Sequence, residues 1–107
     1  MSSSQTPREA ATDYTLEFNA RAMKEFENLT APIRLQLARK LKARLAWPRV
    51  EADRLSGMPD CYKIKLRSSG YRLVYQVVDE RLVVLVIAVG KRERNQVYGA
   101  ALSRVTH

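Results

Sequence analysis

Apolar and charged residues alternate with a period of two between Cys61 and Val77, which is typical of a β-hairpin with one buried face. On its first strand, Tyr62, Ile64 and Leu66 share one face, and the charged residues between them share the other. The pattern therefore predicts one core face and one cationic face.

The turn of this hairpin decides which cations become neighbours. We expect Ser69 and Gly70 to form a two-residue turn, which would place Arg67 opposite Arg72. No acidic residue occurs within the hairpin to neutralise the cationic face. An external anion would relieve the repulsion among its members, which are Lys63, Lys65, Arg67 and Arg72.

Two helices are predicted before the hairpin. Asn19 can cap a helix from Ala20 to about Leu29, and Thr30 with Pro32 can open a second helix that ends near Ala46. In the second helix an apolar residue recurs every four positions, which predicts a row facing the core: Ile33, Leu37, Leu41 and Leu45. The rest of that helix carries only cations among its charged residues: Arg34, Arg39, Lys40, Lys42 and Arg44.

The remaining segments complete an α+β pattern. Tyr14–Phe18 reads as a first strand, and Leu82–Val89 is apolar on both faces, as in a central strand that Gly90 would end. Asn95 can cap a last helix. The order predicts an antiparallel sheet of about four strands, with two N-terminal helices on one face, the other face open, and a C-terminal helix. We interpret residues 1–13 as a flexible extension and residues 14–107 as a single domain.

Composition narrows the possible functions. The chain has 107 residues, with 19 lysines and arginines against 11 acids, and this excess favours a polyanionic partner. The single cysteine, Cys61, cannot form an intramolecular disulfide, which favours a cytoplasmic setting. The only histidine is His107, so neither a histidine metal cluster nor a two-histidine nuclease site is expected. The longest apolar run is too short to span a membrane, and no signal peptide is visible.

Two stretches, LSGMPDCYKIKLRSSGYRLVYQV and VVLVIAVGKRERNQVY, resemble the RelE toxins of the RelE/ParE toxin-antitoxin superfamily, whose fold is like that of the microbial ribonucleases. The resemblance extends from about Tyr14 to Val105. It implies a ribosome-dependent endoribonuclease that cleaves mRNA in the ribosomal A site and so inhibits translation. The reaction would start with attack of the 2′-hydroxyl on the adjacent phosphate, without a metal or other cofactor.

The resemblance also implies which residues carry the chemistry. The catalytic positions are Lys63 and Lys65 in YKIK, Arg72 in GYRLVY, Arg92 in GKRER, and Tyr98. Arg67 and Arg94 are candidate RNA contacts, together with the cations of the second helix. Where the family often carries a basic residue before GMPD, this chain has Ser56.

Cleavage by 2′-hydroxyl attack needs a base, stabilisation of the charged phosphate, and a proton for the leaving oxygen. Lys65 is the candidate base, because a cluster of like charges favours the neutral form of a lysine. Lys63 and Arg72 would hold the phosphate. Arg92 would stabilise the leaving oxygen, while water or Tyr98 supplies its proton; Tyr98 could instead stack on a base.

The implied partners are a RelB-like antitoxin that displaces or remodels the C-terminal helix, the ribosome with its RNA, and the mRNA substrate. Operator DNA would be reached only through the antitoxin, and no membrane partner is expected. Two alternatives remain at this point. One is a ParE-like toxin that inhibits DNA gyrase, and the other is a ribosome- or RNA-binding module that blocks translation without chemistry.

Overall fold

The computed structural model describes residues 13–93 and 96–105. Its strands are β1 (Thr15–Phe18), β2 (Cys61–Leu66), β3 (Tyr71–Val78) and β4 (Val83–Lys91), and its helices are α1 (Ala20–Glu27), α2 (Ala31–Ala46) and α3 (Gln96–Arg104). Short 3₁₀ turns occupy Glu51–Asp53 and Asp79–Arg81. Almost all of the predicted N-terminal extension lies outside the described residues, as do Arg94, the predicted cap Asn95, and His107.

The four strands form one sheet in the order β1-β4-β3-β2. Strand β3 is antiparallel to both of its neighbours, β2 and β4, whereas β1 is parallel to β4. The α+β class is thus confirmed, but the expected antiparallel pairing is wrong for β1. Because β1 and β4 are joined through α1, α2 and the hairpin, no tight turn forces them to run in opposite directions.

Helices α1 and α2 cover what we call the first face of the sheet. Asn19 caps α1 as predicted, since its side-chain oxygen accepts a hydrogen bond from the Arg21 backbone N–H at 2.9 Å. The predicted apolar row of α2 is confirmed. Its two central members, Leu37 and Leu41, are fully buried, and the two outer ones pack partly buried against the same core.

Helix α3 packs on the opposite, second face. Val97 and Ala101 of α3 are buried in a second apolar cluster with Cys61, Val74 and Ile87 of the sheet. The expectation that this face would be open is wrong, because β3 and β4 present apolar side chains on it that need cover. The same cover confirms the prediction for β4, a central strand buried on both faces.

A β-bulge interrupts the pairing of β3 with β4. Val74 pairs with Ala88 and Tyr75 pairs with Val86, so Ile87 is an extra residue on β4. Beyond the bulge the alternation changes phase, and Gly90 faces α3 opposite Arg72. The strand continues through Gly90 to Lys91, so the expectation that Gly90 ends it is wrong.

The hairpin register also differs from the prediction. Leu66 pairs with Tyr71 and Lys65 pairs with Arg72, so the connection has four residues instead of two and Arg67 belongs to the loop. Gly70 has a positive φ of 77°, and its N–H donates to the Leu66 carbonyl at 2.9 Å. Because of this longer turn, Arg67 and Ser68 lie in the loop and do not pair with β3. The predicted pairing of Arg67 with Arg72 is therefore wrong, and Lys65 is the neighbour of Arg72 instead.

Replacing Leu41 with alanine should lower the free energy of unfolding by about 2–5 kcal/mol, because it leaves a cavity beneath α2. Leu35 on the same helix is 55% exposed and provides a matched control. Leu35→Ala should change stability by less than about 0.5 kcal/mol. Urea unfolding measures the free energy of unfolding of both variants. Equal losses would contradict the burial of Leu41 in the core.

Stability should fall at acid pH through Asp79. The hydroxyl of Tyr14 donates to its Oδ1 at 2.6 Å and Arg49 donates to its Oδ2 at 2.7 Å, and these bonds lower the pKa of Asp79. The stabilisation is complete above the pKa that an Asp carboxyl has in an unfolded chain, about 3.9. It is lost as pH falls through the lower pKa that Asp79 has in the folded protein. Urea unfolding should show that the wild type has a higher free energy of unfolding than Asp79→Asn at pH 6, and that this difference disappears in acid. A difference that stays constant with pH would contradict the contribution of Asp79 to stability.

Candidate functional site

A basic cavity of about 460 Å³ lies at the end of the sheet where the hairpin loop meets the end of β4. The Arg92 N–H donates to the Gly70 carbonyl at 3.0 Å and so holds the two segments together. Four cations and one carboxylate line the cavity beside Ser69 and Gly70: Arg67, Arg72, Lys91, Arg92 and Glu93. The fold thus gathers cations from three separate segments at one point.

Arg72 is the least exposed of these cations, at 8%. Its Nη1 donates to the Tyr71 carbonyl at 3.0 Å, and its Nε is buried without a protein partner among the described residues. Gly90, paired with Arg72 on the neighbouring strand, adds no side chain beside it. A buried guanidinium with an unpaired N–H is suited to bind an anion that enters the cavity.

Lys65 pairs with Arg72 across the hairpin, and it lines a second cavity of about 430 Å³ between β2 and α2. Lys40 and Arg44 of α2 contribute to this second cavity. Arg67 lines both cavities and therefore links them around the end of β2. Cations therefore line both cavities, on either side of Arg67.

Helix α3 limits how much of the cationic hairpin face is open. Cys61, at the start of β2, is buried in the cluster with α3, whereas Lys63 and Lys65 further along are half-buried. Burial raises the pKa of the Cys61 thiol to about 11. The open part of the second face is therefore its lysine-bearing end.

The cations of α2 differ in what they contact. Arg44 pairs with Asp53 at 2.6 Å, donates to the Tyr75 hydroxyl at 2.7 Å, and also donates to the Lys63 carbonyl at 3.4 Å. Arg34 donates to the Leu29 carbonyl at 2.7 Å. These two arginines hold the fold together, while the solvent-facing cations are Arg39, Lys40 and Lys42.

Tyr98 lies one residue after Val97, which packs beside Gly90 opposite Arg72. It is half-buried against the second cluster and lines neither of the two cavities. The structure thus brings together Arg67, Arg72 and Arg92, with Lys65 adjoining them, whereas Tyr98 lies on α3 outside both cavities. The candidate RNA contact Arg94 lies outside the described residues.

Lys91 is a cavity residue that sequence reasoning missed. Its Nζ lies 5.7 Å from the centre of the Tyr71 ring, which fixes the ammonium over an aromatic face. The signal that could have found it is its place in GKRER, directly before Arg92. It adds a fourth cation to the cavity.

The site offers fixed positive charge and N–H donors, which bind and stabilise phosphate. No group of three or more His, Cys, Asp or Glu side chains in the described part of the chain is placed to hold a metal ion. None of the helices in the described ranges has both the length and the apolar character that crossing a membrane requires.

Comparison with known proteins gives consistent matches. A family model described as the ParE toxin of type II toxin-antitoxin system, parDE, matches residues 16–96. The chain is 61% identical over 92 residues to the mRNA interferase toxin RelE of Escherichia coli K12, covering 86% of this chain and 97% of that relative. The mRNA interferase RelE of Shigella flexneri gives the same values.

Solved structures match over most of the chain. A double mutant of E. coli toxin RelE in the free state has a TM-score of 0.82 at 57% identity, covering 88% of this chain and 99% of that one. The toxin chain matched in the intact E. coli RelBE toxin-antitoxin complex has a TM-score of 0.74 at 63% identity, covering 76% and 99% of the two chains.

Arg44 should be required for stability, unlike its exposed neighbour Lys42. Arg44→Gln removes the ion pair with Asp53 and a hydrogen bond to Tyr75, so we expect a loss of about 2 kcal/mol in the free energy of unfolding. Lys42→Gln on the same helix should cost less than about 0.5 kcal/mol. Urea unfolding compares the two, and equal effects would show that the Arg44 network does not stabilise the fold.

Proposed function

Because this chain belongs to the RelE family of type II toxin-antitoxin toxins, we propose that it is an mRNA interferase that cleaves mRNA in the ribosomal A site. The observation that carries the proposal is the pairing of Lys65 with the buried Arg72 beside the cavity of Arg67 and Arg92. This pairing occurs on a chain 61% identical to a relative named as an mRNA interferase toxin.

The proposed reaction uses side chains of this site. Lys65, in its neutral form, removes the proton of the 2′-hydroxyl, whose oxygen attacks the adjacent phosphorus. Lys63 and Arg72 hold the phosphate while negative charge develops on its oxygens. The bond from phosphorus to the 5′-oxygen then breaks, leaving a 2′,3′-cyclic phosphate and a 5′-hydroxyl.

Arg92 stabilises the leaving 5′-oxygen, because a guanidinium gives up a proton reluctantly but holds its positive charge at neutral pH. The proton for that oxygen comes from water or from Tyr98. Tyr98 also has an aromatic face on which a base of single-stranded RNA can stack. Both roles require α3 to stay docked, since Tyr98 is carried by that helix, one residue after the Val97 that packs beside Gly90.

Dependence on the ribosome follows from this weak acid-base equipment. A site that supplies positive charge but no strong base can cleave RNA at a useful rate when the substrate is already oriented, because orientation removes much of the entropic barrier. The exposed cations of α2, which are Arg39, Lys40 and Lys42, provide a surface for ribosomal RNA. The protein would therefore act in the cytoplasm, where translation occurs.

We further propose a RelB-like antitoxin as partner. The solved E. coli relative is found in a RelBE toxin-antitoxin complex. Helix α3 fully buries only Val97 and Ala101, with Tyr98 and Ala100 packed partly buried beside them, so another short amphipathic helix can take its place on the sheet. An antitoxin bound there would remove Tyr98 from the site.

Lys65→Ala should lower the rate of mRNA cleavage by at least about 100-fold, the lower end of what a general base contributes. The assay follows end-labelled mRNA on programmed ribosomes with an empty A site, with a ribosome-free reaction alongside. Lys24→Ala, which removes an exposed lysine of α1, should cleave like the wild type.

Three outcomes would contradict parts of the proposal. Wild-type inhibition of translation without cleavage would leave a ribosome-binding blocker. Inhibition of DNA gyrase without cleavage would favour the activity of a ParE-like toxin. Cleavage that persists at the wild-type rate in Lys65→Ala would remove Lys65 from the chemistry while keeping the nuclease.

A further inference from the structure

The outer edge of β4 loses its strand partner beyond β1. The pairing of β1 with β4 ends at Phe18 and Val86, and the Asn19 N–H then donates to the Val86 carbonyl at 2.8 Å. From Ile87 onward, within the described residues, no strand continues along this edge of β4. Backbone groups exposed in this way need other partners.

Two side chains take the place of the missing strand. Glu25 Oε1 accepts the Val89 N–H at 3.0 Å, and Arg104 Nη1 donates to the carbonyl of the bulge residue Ile87 at 3.0 Å. Glu25 and Arg104 also bind each other through two hydrogen bonds of 3.0 Å each. The side chain of Arg104 is only 12% exposed. The pair is therefore a bidentate, largely buried contact at the bulge.

The pair joins helices on opposite faces of the sheet. Glu25 belongs to α1 on the first face, and Arg104 is the last residue of α3 on the second. At its other end, α3 contacts the sheet where Val97 packs beside Gly90. Helix α3 is thus held at both ends, by an apolar contact at its start and by the ion pair at its end.

The apolar contact of α3 has two fully buried side chains, those of Val97 and Ala101. Tyr98, Ala100 and Val105 pack partly buried on the same cluster, while Leu102 is 56% exposed. A nine-residue helix is also too short to be stable by itself in water. The polar contact with Glu25 therefore adds to this apolar packing, and it is the contact that joins α3 to α1.

We propose that Glu25 and Arg104 are positioning residues that keep α3 docked and thereby fix where Tyr98 lies relative to the Arg72 cavity. The role in catalysis depends on the nuclease function proposed above. The docking itself does not, because it is a property of the fold that can be measured without substrate.

Cys61 reports the docking directly. It is buried in the same cluster as Val97 and Ala101, and with a pKa of about 11 its thiol is protonated and shielded at pH 8. When α3 leaves the sheet, this cluster loses part of its cover, and we expect the thiol to become more accessible to Ellman's reagent. We expect Glu25→Gln, which keeps the size of the side chain but removes its charge, to raise the labelling rate of Cys61 about 10-fold.

A matched control is available in the exposed pair of Glu17 and Arg81. Arg81 Nη2 lies 3.0 Å from Glu17 Oε2, but this pair joins β1 to the 3₁₀ turn and does not touch α3. Glu17→Gln should leave both the labelling of Cys61 and the cleavage of mRNA unchanged. Arg104→Lys keeps the charge but loses the two-pronged geometry, and it should give an intermediate labelling rate.

The catalytic arm uses the ribosomal cleavage assay. Glu25→Gln should lower kcat about 10-fold while KM for programmed ribosomes stays within about twofold, because the pair touches no substrate. If the effect acts through Tyr98, Glu25→Gln combined with Tyr98→Ala should be no slower than Tyr98→Ala alone. If the fold-loss of kcat in the double variant equals the product of the two single losses, Glu25 acts independently of Tyr98 and the positioning role is overturned.

The remaining outcomes separate the two proposals. Unchanged labelling of Cys61 in Glu25→Gln, with the fold intact by circular dichroism, would overturn the docking role. Faster labelling with unchanged kcat would overturn the link to Tyr98. If the wild type cleaves nothing, the nuclease function fails while the labelling still decides the docking. If Glu25→Gln does not fold, Arg104→Lys is judged by the same criteria.

Discussion

Strand β4 must be buried on both faces, and most of the structure follows from how it meets that requirement. Its apolar run lies between β1 and β3, with α1 and α2 packed on the first face and α3 on the second. The bulge at Ile87 lets two successive residues, Ile87 and Ala88, face α3. Without this extra residue, strict alternation would turn Gly90 away from Arg72. One irregularity in the ladder therefore brings the end of β4 into register with the cationic hairpin.

The cations of this protein divide into those that hold the fold and those that face solvent. Arg44 and Arg104 are each paired with a carboxylate and bound to a backbone carbonyl, at opposite ends of the molecule. A planar guanidinium can make several such bonds at once, which an ammonium cannot do in the same geometry. The lysines are left at the surface and in the cavities. Net positive charge alone therefore overstates the surface available for RNA.

The sequence predicted well what depends on local periodicity. The row of Leu37 and Leu41, the cap at Asn19 and the central strand were all readable, because each rests on spacing or on a single side chain. The hairpin register could not be read from the sequence, because it depends on which residue of the turn takes a positive φ. In the structure that residue is Gly70, which occupies the last position of the loop. Lengthening the loop by two residues decided that Lys65, and not Arg67, neighbours Arg72.

The candidate site was predictable only in part for a similar reason. Arg44 and Lys42 look alike in the sequence, and only the position of Asp53 in three dimensions makes Arg44 a structural residue. The bulge at Ile87 has no signature in an unbroken apolar run, so the contact between Glu25 and Arg104 could not be foreseen from their separation of 79 positions.

A site built only from cations and a tyrosine requires precise placement more than strong acids or bases. Arg72 meets this requirement through burial, because its guanidinium is held against the Tyr71 carbonyl with one donor still free. Lys91 meets it through the ring of Tyr71. Tyr98 packs half-buried against the second cluster, and this placement depends on the docking of a short helix. Its position is thus the adjustable part of the site, and the contact at the far end of α3 is where that adjustment can be made without touching the phosphate-binding cations.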